Sequence, residues 1–146
     1  MASFGGRNPD FGSDITLWGS RMLISGQSQS SELSSGFLDI FIASCDKDTL
    51  ATYWVRYLGT SSFNEYSYTL QVLQDGTIFA LGQISANGFT NGNLDLLLMS
   101  LTMDGDTRFI ENIGGSIADS PGGMVYSSTT QKATIFGNTN SLSFKN

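Results

Sequence analysis

The chain contains no histidine. That removes the side chain most often used as a general base near neutral pH, and the most common zinc ligand. A single cysteine, Cys45, leaves no internal disulfide to staple a small fold. It sits in the apolar run 39–45, where a thiol packs as a small hydrophobe. Proline occurs twice, and charged residues make up 14% of the chain, against roughly 25% in an ordinary globular domain. The seven Lys and Arg residues are scattered singly in a chain of net charge −6, so no basic patch faces successive phosphates and nucleic acid is excluded as a partner.

Long apolar runs are missing too. The longest, 94–103, is broken by Asp95, Ser100 and Thr102, short of the roughly 18 residues of a membrane span, so membrane insertion is not expected. The N-terminus lacks the apolar centre of a signal peptide, and none of the nine asparagines begins a glycosylation sequon. There is no phosphate-cradling Gly-rich loop with a lysine and no Gly-X-Ser-X-Gly elbow. Thirteen acids are present, but no spacing singles out a glycosidase pair. The acidic stretches Asp46-Lys47-Asp48 and Asp104-Gly105-Asp106 lack the spacing of a calcium loop and read as polar hairpin turns. The sequence therefore predicts no enzyme, no catalytic residues, no metal and no cofactor.

What is present is glycine, at 17 positions, with Ser, Thr, Asn and Gln supplying most of the polarity. Such a mixture disfavours helices and suits short strands joined by tight turns. Apolar residues at 40% and aromatics at 12% give a domain of this length material for a real core.

These residues recur in register. Gly5, Gly59 and Gly114 are 54 and 55 residues apart, and Gly26, Gly82 and Gly137 are 56 and 55 apart. Gly36 with Gly92, Leu38 with Leu94, Asp39 with Asp95 and Ser44 with Ser100 share an offset of 56, and Trp54 matches Phe109 at 55. The chain reads as one repeat domain, 1–146, with units 4–57 and 58–112 and a partial unit 113–146. In the second unit, 66–73 alternates, Asp75-Gly76 makes a hairpin turn, 77–81 and 95–99 are apolar on both faces, and 107–113 follows a second Asp-Gly turn. The first unit repeats this over 13–18, 22–25, 38–44 and 51–58. The third carries two strands, near 124–127 and 133–136. Ten strands in a 4-4-2 pattern predict an all-β fold of β-propeller-like, four-stranded antiparallel blades, an incomplete propeller.

The stretches Gly5-Gly6-Arg7-Asn8-Pro9-Asp10, Leu73-Gln74-Asp75-Gly76-Thr77-Ile78, Asp39-Ile40-Phe41-Ile42 and Tyr53-Trp54-Val55-Arg56-Tyr57-Leu58-Gly59 resemble the beta-propeller repeats of the SBBP type. Thr60 stands where that pattern has a second glycine, and Phe109 where it has tryptophan. The resemblance implies a blade rather than an activity, in a family often found in extracellular or surface proteins.

An incomplete third blade leaves apolar edges that need covering. Copies of the chain, another protein completing that blade, or the rest of a longer propeller of which this is a piece would cover them; assembly is the expectation, which makes the chain a structural or interaction module. Asp10, Asn64, Glu65 and Asp119 recur just before the first strand of each unit. Polar side chains repeated at one rim would line a ligand site, carbohydrate being the alternative partner, or would cap turns by accepting backbone hydrogen bonds. Trp18, Trp54, Tyr53, Tyr66, Tyr68 and Phe109 read as packing between blades rather than as sugar platforms.

Overall fold

The computed structural model describes residues 5–31, 37–85 and 93–141. Phe4, the Gly36–Gly92 pair and nearly all of the Gly- and Asn-rich loop 86–93 lie outside them. The described residues are all-β and contain no helix, so none is long and apolar enough to cross a membrane. Three antiparallel sheets follow one another along the chain. The first holds β1 (Asp10–Trp18), β2 (Arg21–Ser28), β3 (Asp39–Asp46) and β4 (Thr52–Leu58) in sequence order. The second holds β5 (Tyr66–Val72), β6 (Ile78–Ile84), β7 (Asp95–Leu101) and β8 (Thr107–Ile113), and β9 (Asp119–Ser127) pairs with β10 (Lys132–Thr139) in the third. The sheets do not close into a barrel.

β1 and β9 begin further back than alternation alone indicates, while β5 begins at Tyr66 as expected, and the first hairpin of each sheet contains a β-bulge. The register slips between Gly12 and Asp14 in β1, between Ser67 and Thr69 in β5, and in β9 at Gly122, since Phe136 faces Gly123 and Gly137 faces Pro121. A bulge resets the inward–outward alternation, so residues ahead of it fall out of phase with those behind it. Gly26, Gly82 and Gly137 face these bulges. A Cβ at Gly26 would collide with the Phe11 carbonyl, one at Gly137 with the Ser120 carbonyl, and one at Gly82 would lie 2.8 Å from the Tyr66 oxygen. These three glycines are spaced at 56 and 55 residues because each lets a backbone carbonyl approach where any side chain would block it.

The 56-residue frame continues in the outer strands. Ser44 pairs with Trp54 and Ser100 with Phe109, and each pair is followed by a register slip, before Cys45 and before Leu101. The β5–β6 and β7–β8 hairpins turn identically. Gly76 and Gly105 occupy the left-handed region (φ 81° and 84°) and donate to Leu73 and Thr102 carbonyls at 3.0 Å.

The sheets stack. β5 lies against β1, β2 and β3, and β9 against β5, β6 and β7. The main core lies between the first two sheets, where Leu23, Ile40 and Ile42 meet Leu70, Ile78, Ala80, Leu97, Met99 and Leu101. β7 is buried along its whole length and β6 nearly so, in keeping with their unbroken apolar runs. Polar contacts fix the stacking. The Asp14 carboxylate accepts from Thr69 Oγ1 and from the Leu70 N–H, both at 2.8 Å, filling donors that the β5 bulge leaves open. The 102–106 turn is clamped by three donors from the first sheet: Arg21 and Trp54 Nε1 to the Met103 carbonyl, at 2.7 and 3.0 Å, and Arg56 Nε to that of Gly105 at 2.8 Å. Between the second and third sheets Phe79 stacks on Tyr126 with centroids 5.7 Å apart, and Gln83 donates to the Asp119 carbonyl at 2.8 Å.

Candidate interaction surface and its carboxylate joints

Asp10 and Asp119 are the first residues of β1 and β9, and Glu65 immediately precedes β5. Each carboxylate folds back over the loop leading into its strand and accepts a backbone N–H. Gly6 donates to Asp10 at 2.8 Å, Thr60 to Glu65 at 3.1 Å and Gly115 to Asp119 at 2.8 Å. Hydroxyls complete the set: Ser28 on Asp10, Thr60 Oγ1 on Glu65 at 3.1 Å, and Ser141 on Asp119 at 3.2 Å. A loop that runs sideways into a strand has N–H groups with no ladder partner, and an acid four or five residues on supplies one.

Two of these acids sit at joints between sheets. The Glu65 N–H donates to the Leu38 carbonyl and the Asp119 N–H to that of Leu94, both at 2.7 Å. The residues that follow those carbonyls, Asp39 and Asp95, open β3 and β7 and are buried. Asp39 lies against Gly59 so closely that a Cβ there would overlap its carboxylate. Asp95 lies likewise against Gly114, where the same Cβ would stand 2.9 Å from Asp119 Oδ2. Each joint therefore consists of a glycine ending one sheet, a buried aspartate of that sheet, and the acid that begins the next.

The two joints ionise differently. Burial pushes the Glu65 carboxyl up to about 7; the Thr60 donors pull it down, and the neighbouring Asp39 charge holds it up. Burial also raises Asp119, but donors from Thr139, Gly115 and Ser141 outweigh it, and its carboxyl lies below the ordinary range. At Glu65 burial and the Asp39 neighbour outweigh the donors; at Asp119 the donors outweigh burial.

Asn64 accepts the Leu38 N–H at 3.1 Å and lines an open depression of about 300 Å³ with Phe37, Phe63, Tyr66, Ser85 and Asn93. Glu65 and Asp119 are buried, whereas Asp10 and Asn64 are partly exposed, and Asn64 lines this depression. The four do not converge on one cavity. The acidic turns are filled from within: Asp46 accepts from the Asp48 and Thr49 N–H groups, from Thr49 Oγ1 and from the Tyr53 hydroxyl, while Asp104 pairs with Arg21 at 3.2 Å. Among the described residues no three acidic or thiol groups gather to hold a metal ion.

The surface that stands out is the outer face of the first sheet. Ile15 pairs with Ile24 and Leu17 with Met22, while in the second sheet Leu70 pairs with Ala80 and Val72 with Ile78. The positions correspond strand for strand, yet their surroundings differ. Leu70 and Ile78 are buried against the first sheet, whereas Ile15 and Leu17 are 59% and 63% exposed. Phe11 is exposed as well, but ahead of the bulge, where it pairs with Gln27 on the opposite face. At the other end, Phe136 occupies the place that Leu81 holds in the second sheet. Leu81 is 1% exposed and Phe136 is 64% exposed, with Val125 beside it at 58%. Aligning paired strands at the 55-residue offset would have found these faces in the sequence. No protein-family model matches the chain, and neither does any curated protein.

Proposed function

We propose that the chain is a non-enzymatic structural or interaction module, built of propeller-type repeat blades and acting by association through its end faces. The observation that carries this reading is the exposure of Ile15 and Leu17 on the outer face of β1–β2, whose counterparts in the second sheet pack in or against the main core. Apolar clusters of this kind in soluble proteins mark association surfaces. The partner is the chain itself or a protein bringing a similar sheet. Light scattering behind a sizing column tests the reading. The expected result is a mass above 15.7 kDa at micromolar concentration, and a compact monomer across that range would end it.

A second reading, carbohydrate binding, is favoured by the depression at Asn64, where the rings of Phe37, Phe63 and Tyr66 stand beside the amides of Asn64 and Asn93. Rings that stack and amides that hydrogen-bond suit a sugar face. Saturable, sugar-specific binding on a glycan array, lost on Phe63→Ala, is the outcome this reading expects. A blank array would remove it.

A further inference from the structure

We infer that copies of this chain associate head to tail, the outer face of β9–β10 of one copy covering the outer face of β1–β2 of the next. The inference rests on the association proposed above and adds its polarity and its occupant. The contact between the first two sheets is the template. There, the side of the second sheet carrying Leu70, Val72, Ile78 and Ala80 meets the side of the first sheet carrying Leu23, Ile40 and Ile42, with Asp14 at its rim. The equivalent of the first side is repeated on β1–β2 at the same pairing register, with Ile15 and Leu17 exposed and Met22 and Ile24 half-buried.

Of the second side, the part carried by a sheet's first two strands recurs on β9–β10, with no counterpart of β3 among the described residues. Met124 pairs with Ile135 and Tyr126 with Ala133, which turns those residues toward the second sheet, where Tyr126 stacks on Phe79. The alternate residues, Val125 and Phe136, consequently point away and are exposed. One end of the molecule thus offers the surface that the other end is shaped to cover. Because the two surfaces are different, the contact is heterologous, and its repetition builds a ring or a fibre rather than a two-fold dimer.

The joint geometry agrees with this polarity. Asp10 is the first of the series Asp10, Glu65, Asp119, and the two later members each take a backbone contact from the preceding sheet, through Leu38 and Leu94.

The test uses two full-length variants, Leu17→Asp to block the head and Phe136→Asp to block the tail. Both positions are exposed, and far-UV circular dichroism checks that each variant stays folded; should either fail, Ile15→Lys and Val125→Lys take their places. Each variant alone is expected to run at 15.7 kDa. An equimolar mixture is expected to double that mass and stop there, because one intact head and one intact tail remain. Wild type is expected to continue to larger species as concentration rises. If wild type associates but Phe136→Asp still does so to the same extent, or the mixture stays monomeric, the head-to-tail inference is overturned while association stands. If wild type itself is monomeric, both fall.

Discussion

Replacing Gly26 with alanine is expected to destabilise the fold by about 3 kcal/mol, and the same change at Gly12 to leave stability within about 1 kcal/mol of wild type. Gly12 and Gly26 are partners in the β1–β2 ladder, beside the bulge. Their surroundings are opposite. A Cβ at Gly26 would overlap the Phe11 carbonyl and press the Phe41 ring, whereas one at Gly12 meets nothing within 4 Å. Neither glycine needs a left-handed φ, so the contrast isolates steric approach from backbone freedom. The cost at Gly26 arises because a backbone oxygen cannot move aside without breaking the bulge that places Asp14 against Thr69 and Leu70. Urea midpoints for the two variants measure it, and equal midpoints would show that the bulge yields more easily than its packing implies.

The second large effect concerns pH. Glu65 has a carboxyl raised from the ordinary 4.5 to about 7 in the folded chain. Below pH 4.5 both folded and unfolded chains carry the proton, and its contribution to stability is fully present. Between 4.5 and 7 the unfolded chain releases the proton while the folded chain keeps it, so stability falls as pH rises. Above 7 the loss is complete. Between pH 5 and pH 8 the loss amounts to roughly 2–3 kcal/mol.

Glu65→Gln keeps the shape of the protonated acid and its neighbours Thr60 and Asp39 without the titration. The variant is expected to match wild type near pH 5 and to be the more stable of the two at pH 8. Asp119 does not blur this window, because its lowered carboxyl loses its contribution only as pH falls below the ordinary carboxylate range. Unfolding curves at the two pH values decide the matter, and a wild type whose stability is flat between them would show that Glu65 is already ionised in the fold.

Much of the architecture was legible in the residues. The offsets of 56 and 55 shared by Gly26, Gly82 and Gly137 placed three hairpins before any geometry was known. Asp-Gly at 75–76 and 104–105 located two turns to the residue, since both turns demand a left-handed glycine. The buried runs of β6 and β7 followed from the lack of polar alternation. The strand starts were less legible, because a bulge inverts alternation without changing composition. Asp10 and Asp119, placed by sequence in loops, are therefore the opening residues of strands.

By itself, then, the sequence determined the local chemistry: strands, turns, the glycines at bulges and the acids that close each loop. These are set within a few residues, by φ, by Cβ sterics and by short-range hydrogen bonds. Only the tertiary structure decided which apolar faces are covered. Leu70 and Ile15 are alike in type and pairing, and one is buried while the other is open because a sheet lies on one and not on the other. It likewise decided that Glu65 holds its proton while Asp119 does not, because a carboxyl's affinity for its proton is set by the desolvation and donors around it in space.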